Sequence, residues 1–328
     1  MGGKRIEWVD VSKVLVIWLM VLGHILEKSG IDAVVRNMIY SFHMPFFFLV
    51  SGFLHKNKSP NFWQYTLANA KSLLVPYIFL RLCSFLLLIP YIVFTKLDIS
   101  NYLMDFISGG GNSPGGASWF LLCFFCVKEL YYFLDKLPLN LSWLLVLCLV
   151  FVSFFLPYRL FWNLDAALMA MPFYMIGTQY KAPISKNMVA LRSNVVINVI
   201  LFISLFLVFL FSGLQGNVSL YDTIFGNYPL LFYPCAIIGV GAVLLLAKQF
   251  HGNPFIETFS KGTIVIMGLH GALYPYMMLV YRVLVRPLLS PPINLICEIA
   301  ISIIIVLLLY YPIIWLQRYV PFLIGNRR

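Results

Sequence analysis

Asp10, Lys13 and His24 stand in the first apolar run of this sequence, and Ser41-Phe42-His43-Met44-Pro45 followed by Ser51-Gly52 stand in the second. An ionisable side chain at bilayer depth costs about 2.5 to 3.5 kcal/mol to insert, so such residues point to function. In a helix turning by ~100° per residue, Lys13 and His24 lie about 20° apart and Asp10 within about 60° of each. They share one face, with Lys13 and His24 separated by about 16 Å along the axis. A histidine that is neutral near pH 7 can act as a base, and a lysine beside an aspartate can hold an anion or take part in a proton relay.

Each residue also has a plainer reading. Lys13 alone could snorkel to the membrane surface. His24, His43 and His270 could each be a histidine hydrogen-bonded within a helix interface, and His55 and His251 fall in loops where a surface position is expected. Three histidines and a lysine-aspartate pair in one apolar bundle are harder to explain together. None of the three has the i, i+3 or i, i+4 partner of a helical metal site, so no metal is expected. Cys123 and Cys126 form a CxxC inside an apolar run, where small-residue packing is the expected role. Pro45 removes a backbone donor beside His43, and Ser51-Gly52 allows close helix approach.

The elements that must position these groups are membrane helices. The apolar fraction is 61% and the charged fraction 11%, against roughly 25% charged in a soluble domain. The apolar runs lack period-two alternation and are long enough to span hydrocarbon, where backbone groups must be satisfied within the segment. The expected fold is all-α and polytopic, a single domain over 1–328, with about ten spans near 11–28, 37–54, 73–94, 117–134, 139–157, 165–180, 193–213, 229–248, 262–285 and 292–317. Most of the 23 lysines and arginines fall on one side of this arrangement, including Lys4, Lys56, Lys58, Arg192, Arg327 and Arg328. That side is cytoplasmic by the positive-inside rule and carries both termini. The net charge of +11 is then topological and lipid-directed, with no nucleic acid implied. The first run ends in Gly23-His24 without a small-residue cleavage site, so the first helix is expected to be retained. The longest loop, 95–116, is expected outside; its Gly109-Gly110-Gly111-Asn112-Ser113-Pro114-Gly115-Gly116 stretch leads to no Lys-Ser or Lys-Thr and reads as a flexible cover.

The pattern resembles the membrane acyltransferase 3 family, in particular its fucose 4-O-acetylase-like branch. The family's first helix carries a basic residue, ten others and a histidine, with an acid three positions before the basic one, as Lys13, His24 and Asp10 do here. Its second helix is similar to Ser41-Phe42-His43-Met44-Pro45 through Ser51-Gly52. Further landmarks follow in order: Leu74-Val75-Pro76-Tyr77, Trp119-Phe120-Leu121, Asp165 through Phe173-Tyr174 and Ile176-Gly177, and Gly262-Thr263 through His270. Many relatives carry paired arginines just before the third helix, where this sequence has only Lys71. No appended hydrolase-like domain is expected, and the sequence resembles the stand-alone members.

The resemblance implies an O-acetyltransferase of a bacterial cytoplasmic membrane. It would move an acetyl group from cytoplasmic acetyl-CoA to a hydroxyl of an extracytoplasmic or lipid-linked glycan. In that scheme His24 is the base, at a position where a buried ring is expected, or else a covalent acyl carrier. Asp10 orients Lys13, and His43 is a second catalytic candidate. The donor falls to Lys13, Lys71, Arg81 and Ser51, with Lys56 and Lys58 nearby, and Arg81 has pairing with Glu129 as its alternative. The acceptor falls to Trp119, Asp165 and His270. Some relatives are associated with amino-acid transport, so a small-solute transporter using the same polar residues is the rival reading.

Overall fold

The computed structural model describes residues 5–56, 61–96, 98–111, 115–156, 158–190 and 195–325. Lys4, Lys58, Arg192, Arg327 and Arg328 of the charge pattern, and Asn112, Ser113 and Pro114 of the glycine-rich loop, lie outside them.

Helices run in the order α1 (Glu7–Ile25), α2 (Gly30–Phe53), α3 (Phe62–Asn69), α4 (Val75–Thr95), α5 (Tyr102–Ser108), α6 (Trp119–Leu134), α7 (Leu139–Ser153) and α8 (Leu164–Gln179). They continue as α9 (Lys181–Ala190), α10 (Val195–Gln215), α11 (Phe232–Ala247), α12 (Pro254–Lys261), α13 (Thr263–Val280), α14 (Pro291–Leu308) and α15 (Tyr310–Tyr319). Among the described residues the only strands are the two-residue β1 (Val218–Ser219) and β2 (Ile224–Phe225), paired antiparallel. The protein is an all-α polytopic membrane protein.

A helix coincides with each of the ten expected spans, and eight helical stretches are long and apolar enough to cross a bilayer. The other two spans hold α7, of 15 residues, and α8, of 16, both below the roughly 20 residues a perpendicular crossing needs. The third span is longer than its apolar run suggested, because α3 continues through a π-helical turn (Ala70–Leu74) into α4 over Phe62–Thr95. Lipid contact explains exposures that would be untenable in water. In α10, mean hydropathy reaches 2.9 with only 22% of the span buried, and Phe202 and Val195 face outward.

Two compact units can be described, neither a continuous segment: 1–55 with 173–220 and 224–263, and 56–172 with 221–223 and 264–328. In the first, α2 packs against α1, α10 and α11. Glycines permit this packing. A Cβ on Gly52 would meet the carbonyl of Tyr174, a Cβ on Gly177 would meet the carbonyl of Leu49, and a Cβ on Gly239 would meet the Phe42 ring. The first two obstacles are backbone, which cannot rotate away. Gly52→Ala is therefore expected to destabilise the protein by about 1–3 kcal/mol, the usual range for overpacking. A thermal melt in detergent checks this, and an unchanged midpoint would show that the two helices can separate freely. In the second unit Gly268 receives Leu80 in the same way, and α3 docks on α6.

Segments expected on one side of the membrane bond to one another within each unit. In the first, Arg5 reaches Glu257, and Lys181 reaches the His55 carbonyl. In the second, Tyr65 donates to the Lys128 carbonyl, while the Thr66 hydroxyl and the Asn69 amide fill both oxygens of Glu129 at 2.5 and 2.8 Å.

Candidate functional site

The first polar cluster of unit one gathers at the start of α1. Asp10 accepts two hydrogen bonds from Arg5, at 2.6 and 2.9 Å, and one from the Ser260 hydroxyl at 2.6 Å. Lys13 donates to the Ser260 carbonyl at 2.6 Å. Asp10 therefore steers Lys13 through Ser260 rather than by a direct ion pair. The Ser260 carbonyl lies in the last turn of α12, where unpaired carbonyls and the helix dipole favour a cation. Lys13 thus has a structural role as a C-terminal cap, whatever else it holds.

α12 falls between two expected spans, in 249–261, and carries its own helix signals: Asn253 as N-cap accepting from the Ile256 N–H at 2.8 Å, Pro254 at the first helical position, and Glu257 in the first turn. Glu257 accepts from Lys261 at 2.6 Å and lies 3.3 Å from Arg5. The hydrogen bond from Lys261, with the Arg5 charge behind it, holds the Glu257 carboxyl below its usual range. This contribution is present at neutral pH and fades as pH falls through the depressed value. Glu7 also accepts from the Gly252 N–H, so Glu7, Asp10 and Lys13 all tie the start of α1 to the 252–261 segment.

The second cluster lies at the other end of the same helix. α1 is continuous from Glu7 to Ile25, so the offset of ~20° and rise of ~16 Å between Lys13 and His24 hold. His24 is exposed, which corrects the expectation of a buried ring. Its Nδ1 lies 3.4 Å from the Tyr40 hydroxyl of α2. Tyr40 stands in contact with two further groups: the Arg36 guanidinium lies 4.0 Å over its ring, and the His43 ring centroid is 4.9 Å away. His43 is buried, and its Nδ1–H donates to the Ile39 carbonyl at 2.9 Å. That bond fixes the proton on Nδ1 and leaves Nε2 as the acceptor nitrogen of the neutral ring. Pro45 has no N–H for the Ser41 carbonyl one turn back, so the backbone beside His43 has an acceptor without its helical partner.

Tyr40 and Arg36 were not singled out from sequence. Their i, i+4, i+7 spacing with His43 was the available signal, but Arg36 reads as an ordinary loop charge next to Asp32. Ser51 is half-buried, beside the Gly52 contact with α8. His55, expected at the surface, is instead half-buried, its Nδ1 lying 2.7 Å from the Tyr174 hydroxyl.

In unit two, Arg81 is fully buried and donates to the carbonyls of Gly110 and Gly115 at 2.8 and 3.4 Å. The alternative pairing with Glu129 is not made, since Glu129 is occupied by Thr66 and Asn69. Arg81 therefore anchors the glycine-rich loop. The described residues of that loop, expected to be a flexible cover, are tied to their surroundings by hydrogen bonds. Asn163 donates to the Gly109 carbonyl at 3.0 Å, the Gly111 N–H donates to the Tyr221 hydroxyl at 2.6 Å, and Gly109 adopts φ 85°, a conformation open to glycine.

Trp119 and Asp165 belong to the same neighbourhood. Trp119 packs on the Tyr221 ring at 5.1 Å, and Arg159 lies 4.3 Å over that ring. Arg159 also pairs with buried Asp165 at 2.7 Å and donates to Asn163 at 2.6 Å. His270 is buried, with Nδ1–H donating to the Ile266 carbonyl at 2.9 Å, one turn back in its own helix. Glu298 escaped the sequence reading although it interrupts the apolar run of α14. It is fully buried, 3.9 Å from Arg286. Lys71 lies in the π-helical turn and lines a cavity of about 910 Å³ with Gln64, Leu67, Ser72, Tyr319 and Phe322. Among the described residues the wall carries the Lys71 cation and is otherwise mostly apolar, which suits an amphipathic ligand.

A bundle of membrane helices, with a lysine and a histidine on one uninterrupted first helix and further buried histidines, defines a polytopic membrane protein with ionisable side chains along its apolar helices. The sequence model of a family described as an acyltransferase domain matches residues 6–315, nearly the whole chain. The chain belongs to the acyltransferase 3 family. No curated protein and no solved structure matches it.

Proposed function

We propose that this membrane acyltransferase is an O-acetyltransferase of a bacterial cytoplasmic membrane, taking its acyl group from cytoplasmic acetyl-CoA and delivering it to a hydroxyl of an extracytoplasmic or lipid-linked glycan. The observation that carries the reading is the uninterrupted α1, with Lys13 in the polar cluster at one end and the exposed imidazole of His24 at the other. Such a spacing suits a long, thin donor. The anionic end of CoA is drawn to the Lys13 ammonium, and the pantetheine arm, extended along the helix, presents the thioester near the histidine.

In the chemical step His24 removes the acceptor hydroxyl's proton as the oxygen attacks the thioester carbonyl. The C–S bond breaks, and the thiolate of CoA takes the proton back. Lys13 holds the donor, and His43, with its proton fixed on Nδ1, is the second catalytic candidate through Nε2. Within unit two, Trp119, Asp165 and the Arg159–Tyr221 pair around the glycine-rich loop carry the acceptor role. Also within unit two, Lys71 and its cavity offer an amphipathic site of their own.

Ligand-dependent melting tests the reading. Acetyl-CoA at 100 times its dissociation constant is expected to stabilise the purified protein by about 2.7 kcal/mol. Labelled acetyl should then appear on a glycan fraction. A protein that ignores acyl-CoA at millimolar concentration but is stabilised by a small solute would be a transporter instead.

A further inference from the structure

An exposed side chain at the last turn of a helix has several rotamers, and a base is effective only when one nitrogen is held toward the proton it removes. His24 is such a side chain, and Tyr40 is the fixed object beside it. Gly23 makes the room: a Cβ there would lie 2.9 Å from Tyr40 Cε2 and 3.3 Å from Ile39. Arg36 holds the ring from its face at 4.0 Å, and is itself buried and bonded to the Asn217 amide oxygen at 3.2 Å. The His43 ring closes another side at 4.9 Å. The Tyr40 hydroxyl then meets His24 at Nδ1, 3.4 Å away, with the two rings edge to face at 6.0 Å.

We propose that Tyr40 is a positioning residue for His24, its phenolic oxygen accepting a hydrogen bond from Nδ1–H so that the lone pair on Nε2 faces the acceptor hydroxyl. The inference rests on the reading of His24 as the base. Of the two neutral tautomers, only the one with its proton on Nδ1 leaves Nε2 able to accept. As the acceptor oxygen bonds to the acyl carbon, its proton moves to Nε2. When the C–S bond breaks, the same proton passes to the departing thiolate, and the ring returns to the tautomer with its proton on Nδ1. Tyr40 touches neither substrate. Gly23 acts one step further back, by leaving space for the tyrosine.

Tyr40→Phe retains the ring between Gly23, Arg36 and His43 and removes only the oxygen. It is expected to lower kcat at least about tenfold, since a catalytic histidine that loses its tautomer-setting partner loses that much or more. The KM for acetyl-CoA should stay within about twofold, and the melting temperature should be unchanged. Tyr40→Leu, which also loses the packing, should match the phenylalanine variant in kcat while melting lower. Gly23→Ala should lower kcat in the same direction by displacing the ring.

Wild-type kcat in Tyr40→Phe, with His24→Ala inactive, overturns the positioning role alone. Wild-type kcat in His24→Ala overturns the base reading itself. A raised KM with unchanged kcat in Tyr40→Phe would make the residue part of the donor site and would also overturn the proposal.

Discussion

His24→Ala is expected to reduce acetyl transfer by about 10²–10⁴-fold, the range that a positioned general base contributes. The protein should remain folded, because His24 is exposed and fills no core space. Its ring contact with Tyr40 is peripheral compared with the Gly52–Gly177 seam that joins helices backbone to backbone. The deciding comparison is between transfer and binding. Acetyl-CoA should still raise the melting temperature of the variant, since the proposed reading assigns the donor's anionic end to Lys13 and not to His24. Transfer at the wild-type rate in His24→Ala would sink the catalytic assignment. Loss of transfer together with loss of donor binding would assign the ring to the donor site instead.

Lys13→Ala is expected to have the next largest effect, and here two consequences must be separated. The ammonium group caps the C-terminus of α12 through the Ser260 carbonyl, at 2.6 Å. Removing a favourable cation from a helix C-terminus costs about 0.3–1 kcal/mol at exposed sites and up to about 2 when partly buried. The lost cap also releases Ser260, which Asp10 holds on its hydroxyl side. If Lys13 also attracts the donor, the affinity for acetyl-CoA, measured on purified protein below its melting range, falls at least about tenfold, or 1.4 kcal/mol. A lower melting point with unchanged donor affinity would reduce Lys13 to its capping role. Lys13→Arg should keep both the charge and a donor to Ser260, and so retain most of the binding.

Much of this protein is legible in its sequence. Hydrocarbon leaves no choice to a long apolar run without alternation: every backbone group must be bonded within its own segment, so the run is a helix wherever it packs. That is why each expected span coincides with a helix, and why the distance and angle between Lys13 and His24 on α1 could be stated from spacing alone. Boundaries were less legible. The π-helical turn at Ala70–Leu74 joins α3 to α4, and α12 was overlooked because its cap signals sit in a polar stretch too short to show periodicity.

Periodicity within one helix says nothing about which side chains of other helices arrive beside it. Asp10 was read as a partner for Lys13 because they share a face, whereas Arg5 and Ser260 satisfy the carboxylate and a carbonyl 247 positions away takes the lysine. Arg81 was drawn toward the cytoplasmic donor or Glu129 by charge alone, yet the carbonyls of a glycine-rich loop hold it. The Tyr40 contact with His24 depends on Gly23 and on how α1 crosses α2, neither of which is written in either helix by itself. The sequence by itself determined the solvent, the helices and the residues too polar for that solvent, because those follow from local transfer free energies. Only the tertiary structure decided the partners, because hydrogen bonds between helices depend on approach distance and rotation, which glycine contacts and backbone carbonyls set.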